Sequence, residues 1–258
     1  MDLVSSAASH TSGGPSPGRR ILVVVPTYNE RDNVQELIGR LLDMDDLDVL
    51  FVDDGSPDGT ADLIRAAAAA SADGRINLLT RPSKQGLGTA YVDGFRWGLV
   101  RDYETLVQID ADLSHDPADI PRLLEALAGA DLIIGSRYVE GGHVQNWGWT
   151  RRALSFGANW TVRALLGFKV HDSTAGFRAF RSEVLEEIDF HTLRSRGYAF
   201  QVETTRRVSR SGGRIVEVPI TFVERIRGST KMDARVILEA MTKLITWTVT
   251  DRVWRRRT

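Results

Sequence analysis

Between residues 21 and 135 the sequence alternates short apolar runs with helical patterns, and this alternation restricts the chain to few folds. Five runs have the length and composition expected of buried strands: 21–25, 49–52, 76–79, 105–109 and 132–134. Helical signals separate them, such as the amphipathic spacing from Val34 to Leu42, the potential cap at Thr60 and the Asp116-Pro117 helix start. We predict an α/β fold, a doubly wound and mostly parallel sheet with flanking helices.

After residue 136 the alternation becomes irregular. We predict helices over 151–166 and 200–210, a strand over 215–222, and an amphipathic helix that occupies 235–258 and faces a membrane or a partner. Residues 1–19 are rich in Ser, Gly, Ala and Pro, which predicts a disordered tail. One folded domain would then cover 20–234.

Charge and composition exclude several functional classes. The 33 basic residues nearly balance 34 acidic ones, so there is no overall nucleic-acid signature and we expect no nucleic-acid partner. The chain has no cysteine, which excludes disulfides and thiolate metal sites. No run approaches the roughly 18 apolar residues that span a bilayer, so we expect that the chain does not cross a membrane by itself.

Two aspartates stand directly after the fourth predicted strand, Asp110 and Asp112, with Ala111 between them. Residues two apart on a strand share a face, so both carboxylates can point into one cleft. Two unpaired carboxylates so close repel each other, and a hard divalent cation bound through oxygens relieves that repulsion. For such a pair taken alone, a solvated loop or a helix cap is the alternative.

Other polar segments also follow predicted strands, and ligands of doubly wound sheets bind at the carboxyl ends of the strands. Tyr28 can stack on a nucleobase, and Asp53 or Asp54 can accept hydrogen bonds from a base or a ribose. Gly86 lets backbone approach a phosphate at a helix start. Capping and turn chemistry can explain each segment taken alone.

Seven segments carry a more specific signal when they are taken together. They are VVPTYNE (24–30), VDDGSPDGT (52–60), KQGLGTA (84–90), DADLSHDP (110–117), GSRY (135–138), DSTAGFR (172–178) and ERIRGSTK (224–231). In this order they resemble the family 2 glycosyltransferases of the GT-A fold, and within them the polyprenol (dolichol) monophosphate mannose synthases. The resemblance implies that 20–234 is a GT-A catalytic domain.

The resemblance also implies a GDP-mannose donor, a bound Mg²⁺ or Mn²⁺, a polyprenyl phosphate acceptor, and inversion at the sugar carbon. It implies that Asp110 and Asp112 hold the metal, while Ser114 stands where some relatives carry Gln, so a third protein ligand stays open. The donor-binding residues would be Pro26, Tyr28, Glu30, Asp53, Asp54, Lys84, Gly86 and Ala111. The acceptor-phosphate residues would be Arg137, Arg151 and Ser155, and the catalytic residues Asp110, Asp112, Arg137, Arg225 and Lys231.

A phosphate acceptor determines what the site must supply. A phosphate monoester has a second pKa near ~6, so it is largely dianionic at neutral pH and needs no general base. It needs cations that place it in line and limit its repulsion with the donor. Arg151 and Ser155 are four residues apart and share a helix face, and Gly228 would let the basic loop around Lys231 move.

Other functions stay open from the sequence. The donor can be UDP-glucose, or the acceptor can be a sugar hydroxyl, for which Glu203 is the candidate general base. A non-catalytic nucleotide-binding scaffold is a further alternative. His115 and His171 each stand beside an Asp and are candidates to contact the site, although a structural role is more common for a lone histidine.

Apolar stripes in the second half predict contact with a membrane surface, with core burial as the alternative. The stripe in the last helix comprises Ile237, Leu238, Met241, Leu244, Ile245 and Val249, and a second face comprises Leu154, Val162, Leu165, Leu166 and Phe168. The resemblance implies a separate integral membrane partner protein. We expect a cytoplasmic protein that is peripheral on the cytoplasmic face of the membrane.

Overall fold

The structure is a computed structural model that describes residues 20–71, 73–193, 195, 197–224 and 242–251. Its strands are β1 (Ile21–Thr27), β2 (Leu47–Asp53), β3 (Ile76–Thr80), β4 (Thr105–Gln108), β5 (Leu132–Ser136), β6 (His143–Gln145), β7 (Arg178–Arg181), β8 (Ile215–Pro219) and β9 (Thr221–Val223). Its helices are α1 (Arg31–Leu42), α2 (Thr60–Ala70), α3 (Leu87–Leu99), α4 (Ile120–Leu127), α5 (Trp149–Leu166), α6 (Ser182–Glu187) and α7 (Gly197–Ser211). All five strands predicted from the apolar runs are present.

Seven strands form one sheet in the order β3-β2-β1-β4-β7-β5-β8. Every neighbouring pair is parallel except the two pairs made by β7, which confirms the predicted mostly parallel sheet. The strand order reverses between β1 and β4, and a crevice opens at such a point beyond the carboxyl ends of the strands. Tyr28 follows β1 and Asp110 follows β4, so both lie at this crevice.

Helices cover both faces of the sheet, which explains why its strands are continuously apolar. Leu22 and Val24 of β1 pack into a core with α3, α6 and α7, whereas Val23 and Val25 pack into a second core with α1, α2 and α4. Gly94 lets α3 lie close against β1, because a Cβ at that position would be 2.3 Å from Cγ1 of Val24.

The structure corrects one predicted strand and adds to the main sheet one that was not predicted. The continuous strand predicted over 215–222 is wrong, since β8 ends at Pro219 in the main sheet and β9 pairs with β6 in a separate two-stranded sheet. Proline has no N–H with which to continue a ladder, so the chain leaves the main sheet there. The antiparallel strand β7 was missed, because it has only four residues and two of them are arginines.

The predicted cap at Thr60 is also wrong. Thr60 is the first residue of α2, and Gly59 precedes it with a φ of 86°. The Asp58 carboxylate accepts from the Thr60 backbone N–H at 3.0 Å and from its hydroxyl at 2.6 Å. By contrast, the predicted Asp116-Pro117 start is confirmed, because the Asp116 side chain accepts from the Ala118 N–H at 3.0 Å.

Residues 242–251 form a helical segment that packs on α5 and α7. Leu244 lies in a small core with Val162, Leu166 and Val202, while Ile245 and Val249 are exposed. The predicted apolar stripe is therefore divided between core and surface in the part that the structure describes, and Ile237, Leu238 and Met241 lie outside the described residues. Within the described ranges, no helix has both the length and the apolar character that crossing a bilayer requires.

Candidate active site

Asp110 and Asp112 line the same cavity, of about 160 Å³, just beyond the end of β4. The Tyr91 hydroxyl donates to Oδ1 of Asp110 at 3.0 Å, and the Ser114 N–H donates to Oδ1 of Asp112 at 3.1 Å. The Ser114 hydroxyl donates to the same Asp112 oxygen. Burial and the nearby Asp110 carboxylate raise the pKa of Tyr91, so its hydroxyl stays a donor at neutral pH. Side chains from α3 and from the loop itself thus orient both carboxylates.

The donor atoms of this pair fit a hard divalent cation. Gly176 borders Asp110, and a Cβ there would be 2.9 Å from Oδ2 of Asp110, so glycine keeps space open beside that carboxylate. Among the described residues, no cluster of three or more His, Asp or Glu side chains is arranged to hold a metal. Water and ligand oxygens would therefore complete an oxygen shell of the kind that Mg²⁺ and Mn²⁺ accept.

Arg137 lines this cavity and is buried against Asp172. Its Nε and Nη2 donate to the two carboxylate oxygens at 2.6 and 2.7 Å, and its backbone N–H donates to Oδ2 at 3.1 Å. Burial alone would lower the pKa of Arg137 and raise that of Asp172, but the pairing reverses both shifts, so the pKa of Arg137 is raised and that of Asp172 is lowered. Both groups are charged at neutral pH.

Arg151 reaches the same cavity from the start of α5. Its guanidinium lies 4.3 Å from the Trp147 ring centroid and forms an ion pair with Glu224. The pair is about one-third exposed on each side, and such pairs contribute only about 0–1 kcal/mol, so an anionic ligand can replace Glu224 at little cost. The predicted partner Ser155 accepts from the Tyr138 hydroxyl at 2.7 Å, which fixes its position one turn along α5.

A second, open cavity of about 430 Å³ adjoins the first and shares Arg137 with it. Tyr138, Val144, Arg152 and Phe156 are among the residues that line it. Arg137 therefore stands between the cavity that holds the two aspartates and a more open one that has apolar side chains. This arrangement suits a ligand that has an anionic head and an apolar continuation.

The predicted donor-binding residues surround the crevice, and the carboxylates among them are already engaged. Asp53 accepts from Thr27 and from Ser56, and Asp54 accepts from the backbone N–H groups of Gln85 and Gly86 at 3.1 and 3.0 Å. Both are buried, so they hold the turns that surround the crevice. Direct binding of the nucleoside by these carboxylates stays a prediction.

The Lys84 ammonium lies 4.0 Å from the centroid of the Tyr28 ring. Gly86 adopts a φ of 104°, which favours glycine. Pro26 is the penultimate residue of β1, the Glu30 carboxylate accepts from Asn33 at 2.7 Å, and Ala111 is buried. The structure thus places a cationic and an aromatic group together at the end of the crevice.

Two predicted catalytic residues, Arg225 and Lys231, and the expected hinge Gly228 lie outside the described residues. Glu203 does not line either cavity, since its carboxylate accepts from Ser195 and from Arg207. His171 is half-exposed and bonds Glu217 at 2.9 Å, also away from both cavities. His115, in contrast, lines the aspartate cavity.

Sequence reasoning missed Gln201, a buried residue of α7 that lines the aspartate cavity. It stands in the apolar sequence Ala199-Phe200-Gln201-Val202, and an uncharged polar residue within such a run is the signal that could have identified it. Trp147 also lines the cavity, with its indole N–H unpartnered among the described residues. Three buried polar groups that have no partner in the described part of the chain therefore border one cavity: Gln201, Trp147 and Nδ1 of His115.

Burial lowers the pKa of His115 from 6.5 to about 4; the negative charge of Asp112 opposes this shift, and the positive charge of Arg137 offsets part of that opposition. The unfolded chain takes up a proton as the pH falls through 6.5, whereas the folded chain does not until about 4. The unfolded state then binds more protons, so the free energy of unfolding falls with the pH in this window. We expect the titration of His115 to lower the free energy of unfolding by about 1.5 kcal/mol between pH 6.5 and 5.

Urea unfolding of the EDTA-treated protein at several pH values measures this effect. The variant His115→Gln does not titrate at this position, so its free energy of unfolding should fall by about 1.5 kcal/mol less than that of the wild type over the same window. If the free energy of unfolding depends on pH in the same way in the two proteins, His115 is not buried and neutral in the folded protein.

Comparison with known proteins agrees with this architecture. The sequence model of a family described as Glycosyl transferase family 2 matches residues 22–189. A polyprenol monophosphomannose synthase from Mycolicibacterium smegmatis is 51% identical over 243 residues, which are 93% of this chain and 91% of that protein. An undecaprenyl-phosphate mannosyltransferase from Micrococcus luteus is 48% identical over 234 residues, which are 90% of this chain and 96% of that protein.

Two solved structures have a similar fold at low sequence identity. Glucosyl-3-phosphoglycerate synthase from Mycobacterium tuberculosis, in complex with Mn²⁺, uridine diphosphate and glucosyl-3-phosphoglycerate, gives a TM-score of 0.62 at 20% identity, over 91% of this chain and 80% of that one. A mannosyltransferase from Pyrobaculum calidifontis, in complex with GDP-Man and Mn²⁺, gives a TM-score of 0.59 at 19% identity, over 95% of this chain and 67% of that one. These neighbours confirm the predicted GT-A-like fold.

Proposed function

This chain belongs to the family 2 glycosyltransferases, and we propose that it transfers mannose from GDP-mannose to a polyprenyl phosphate. The observation that carries the proposal is that one cavity is lined by both Asp110 and Asp112 and by both Arg137 and Arg151. A carboxylate pair suits a metal-bound diphosphate, and an arginine pair suits a second phosphate. The two 48–51% identical relatives carry names for this class of reaction.

In the proposed reaction a phosphate oxygen of the acceptor forms a bond to the anomeric carbon, and the bond from that carbon to the GDP oxygen breaks. The products are a mannosyl phosphate diester of the lipid and GDP, with inversion at the carbon. Asp110 and Asp112 would hold Mg²⁺ or Mn²⁺, which supplies positive charge to the departing diphosphate. Tyr91 and Ser114 keep both carboxylates turned toward the cavity.

The acceptor side of the site supplies cations. Arg137 is fixed by Asp172, and the hydrogen bonds within the described residues use its Nε and Nη2, so Nη1 can donate to a phosphate. Arg151 would exchange Glu224 for the acceptor phosphate. An ionised phosphate needs no proton removed, and Glu203, the candidate base for a hydroxyl acceptor, is held by Ser195 and Arg207 instead. The geometry therefore favours a phosphate acceptor over a sugar hydroxyl.

The lipid part of the acceptor would lie on apolar surface near Arg137. Trp149, Phe156 and Trp160 follow one stripe of α5 and are 80, 60 and 62% exposed. Phe156 also lines the open cavity. Such a stripe fits a membrane surface from which a polyprenyl phosphate head enters the cavity, so we place the enzyme at the cytoplasmic face as a peripheral protein.

A separate integral membrane protein would complete this attachment, as the sequence resemblance implies. The proposal of a partner would be contradicted if membranes show full activity although no integral membrane protein co-purifies with the enzyme. Vesicle flotation of the purified enzyme alone separates direct attachment to lipid from attachment through the partner.

Incubation of the purified protein with labelled donors tests the function. The donors are GDP-mannose and UDP-glucose, each offered with a short polyprenyl phosphate or with the matching polyprenol, with and without EDTA. We expect mannolipid from GDP-mannose and the phosphate only, and a loss of at least about 100-fold with EDTA, since the metal contributes several kcal/mol. Glucolipid from UDP-glucose, or transfer to the alcohol, would contradict the proposal.

A further inference from the structure

Gln201 is 2% exposed, and neither atom of its side-chain amide has a hydrogen-bond partner among the described residues. A buried polar group without a partner destabilises a protein by about 1–3 kcal/mol, and each one in a native structure needs an explanation. Gln201 lines the aspartate cavity, so a ligand in that cavity can reach it. The unpartnered amide therefore indicates that part of the ligand binds there.

Contacts of its neighbours and of its backbone connect the segment around Gln201 to the Asp110 side of the cavity. The ring of Phe200, the preceding residue, stacks on that of Tyr91 with 6.1 Å between the ring centroids, and the Tyr91 hydroxyl donates a hydrogen bond to Asp110. The Gln201 carbonyl accepts from Arg178 at 3.0 Å. Arg178 also donates to the Ala175 carbonyl at 2.9 Å, which ties α7 to the loop that carries Gly176 beside Asp110.

The arginines of the cavity lie together against aromatic rings. The guanidinium of Arg137 is 5.4 Å from the Trp147 ring centroid and 5.5 Å from that of Phe222, and Arg151 is stacked on the same Trp147 ring. The cavity thus has a cationic, aromatic flank for a phosphate. Gln201 adds a neutral amide to the lining of the same cavity.

The chemistry of an amide selects the ligand group that it faces. Oε1 only accepts and Nε2 only donates, so a phosphate oxygen, which only accepts, would satisfy one atom and repel the other. A hydroxyl donates and accepts and can satisfy both. Given the proposed function, which this inference presupposes, we propose that Gln201 binds a hydroxyl of the transferred sugar and thereby selects the hexose. The geometry assigns the arginine flank to the acceptor phosphate.

The variant Gln201→Leu tests this role, because leucine removes both polar atoms. Titration calorimetry gives the affinities for GDP-mannose and for GDP, each with Mn²⁺. We expect the ratio of the two affinities to fall by about 10- to 100-fold, through weaker GDP-mannose binding alone, because the sugar hydroxyl loses its partner. The acceptor KM should stay unchanged, and the melting temperature should hold or rise because a buried unpaired amide is gone.

Gln108 provides a matched control, since it is another fully buried glutamine and it does not line the cavity. Gln108→Leu should change GDP-mannose and GDP binding alike. The variant Gln201→Asn, which keeps the amide on a shorter side chain, should lose sugar recognition as Gln201→Leu does. A GDP-mannose to GDP ratio that changes by less than about threefold in Gln201→Leu would overturn the role of Gln201.

The wild-type protein separates this inference from the proposed function. If it binds or transfers from UDP-glucose rather than GDP-mannose, the proposed function fails, and the ratio of UDP-glucose to UDP affinity then tests Gln201 in the same way. If it transfers mannose as proposed and Gln201→Leu keeps the wild-type ratio, only the assignment of Gln201 fails.

Discussion

Replacing Asp112 with asparagine should lower the rate of mannose transfer by about a thousandfold, or roughly 4 kcal/mol of activation free energy, while the protein stays folded. Asparagine removes the negative charge that holds the cation. It keeps an Oδ1 atom that can accept from the Ser114 N–H, as Asp112 does. The loss should therefore appear in the metal dependence of the rate, and binding of Mn²⁺ measured by calorimetry should weaken in parallel.

Asp116 in the same loop is the matched control for this substitution. Its side chain caps the short 3₁₀ turn that starts at Pro117, and asparagine caps as well as aspartate. Asp116→Asn should change activity by less than about twofold. If Asp112→Asn retains wild-type rates and Mn²⁺ affinity, the carboxylate pair does not hold the metal.

Breaking the Arg137–Asp172 pair should produce the largest loss of stability. Asp172→Asn leaves a buried arginine without its counter-charge, which typically destabilises a protein by about 3–5 kcal/mol. Urea unfolding at pH 7 measures the change. Activity should also fall, by about 100-fold, because Arg137 would no longer be fixed beside the acceptor phosphate.

The exposed pair Arg20–Glu104, with a distance of 2.7 Å, provides the control. Glu104→Gln should lower the free energy of unfolding by less than about 1 kcal/mol, since exposed ion pairs contribute little to stability. The double variant Arg137→Met/Asp172→Asn should be less destabilised than the sum of the two single variants by about 1–3 kcal/mol. Additive losses would show that the two side chains are not coupled.

The parallel part of the sheet could be predicted from the sequence because each of its strands is a local apolar run. The runs 21–25 and 49–52 correspond to the cores of β1 and β2. The strand β7 could not be predicted in this way, because it lies between β4 and β5 through pairings that are distant in sequence. Pro219 offered a local signal for the end of β8 that the prediction of a continuous strand ignored.

The aspartate pair and the basic residues could be selected from the sequence, but their partners could not. Arg137 is paired with a residue 35 positions away, and Arg151 with one 73 positions away, and only the fold brings them together. The same holds for Gln201, whose unpartnered amide is visible only when its surroundings are known. Sequence reasoning therefore identified the charges of the site, while the structure determined which of them are already neutralised.

Crystals grown with Mn²⁺, GDP and a short polyprenyl phosphate would test the central claim most directly, through the anomalous scattering of manganese. The account predicts a manganese peak between the carboxylates of Asp110 and Asp112, with the acceptor phosphate bound by Arg137 and Arg151 across the same cavity. A manganese peak away from both aspartates, or a phosphate bound away from both arginines, would contradict it.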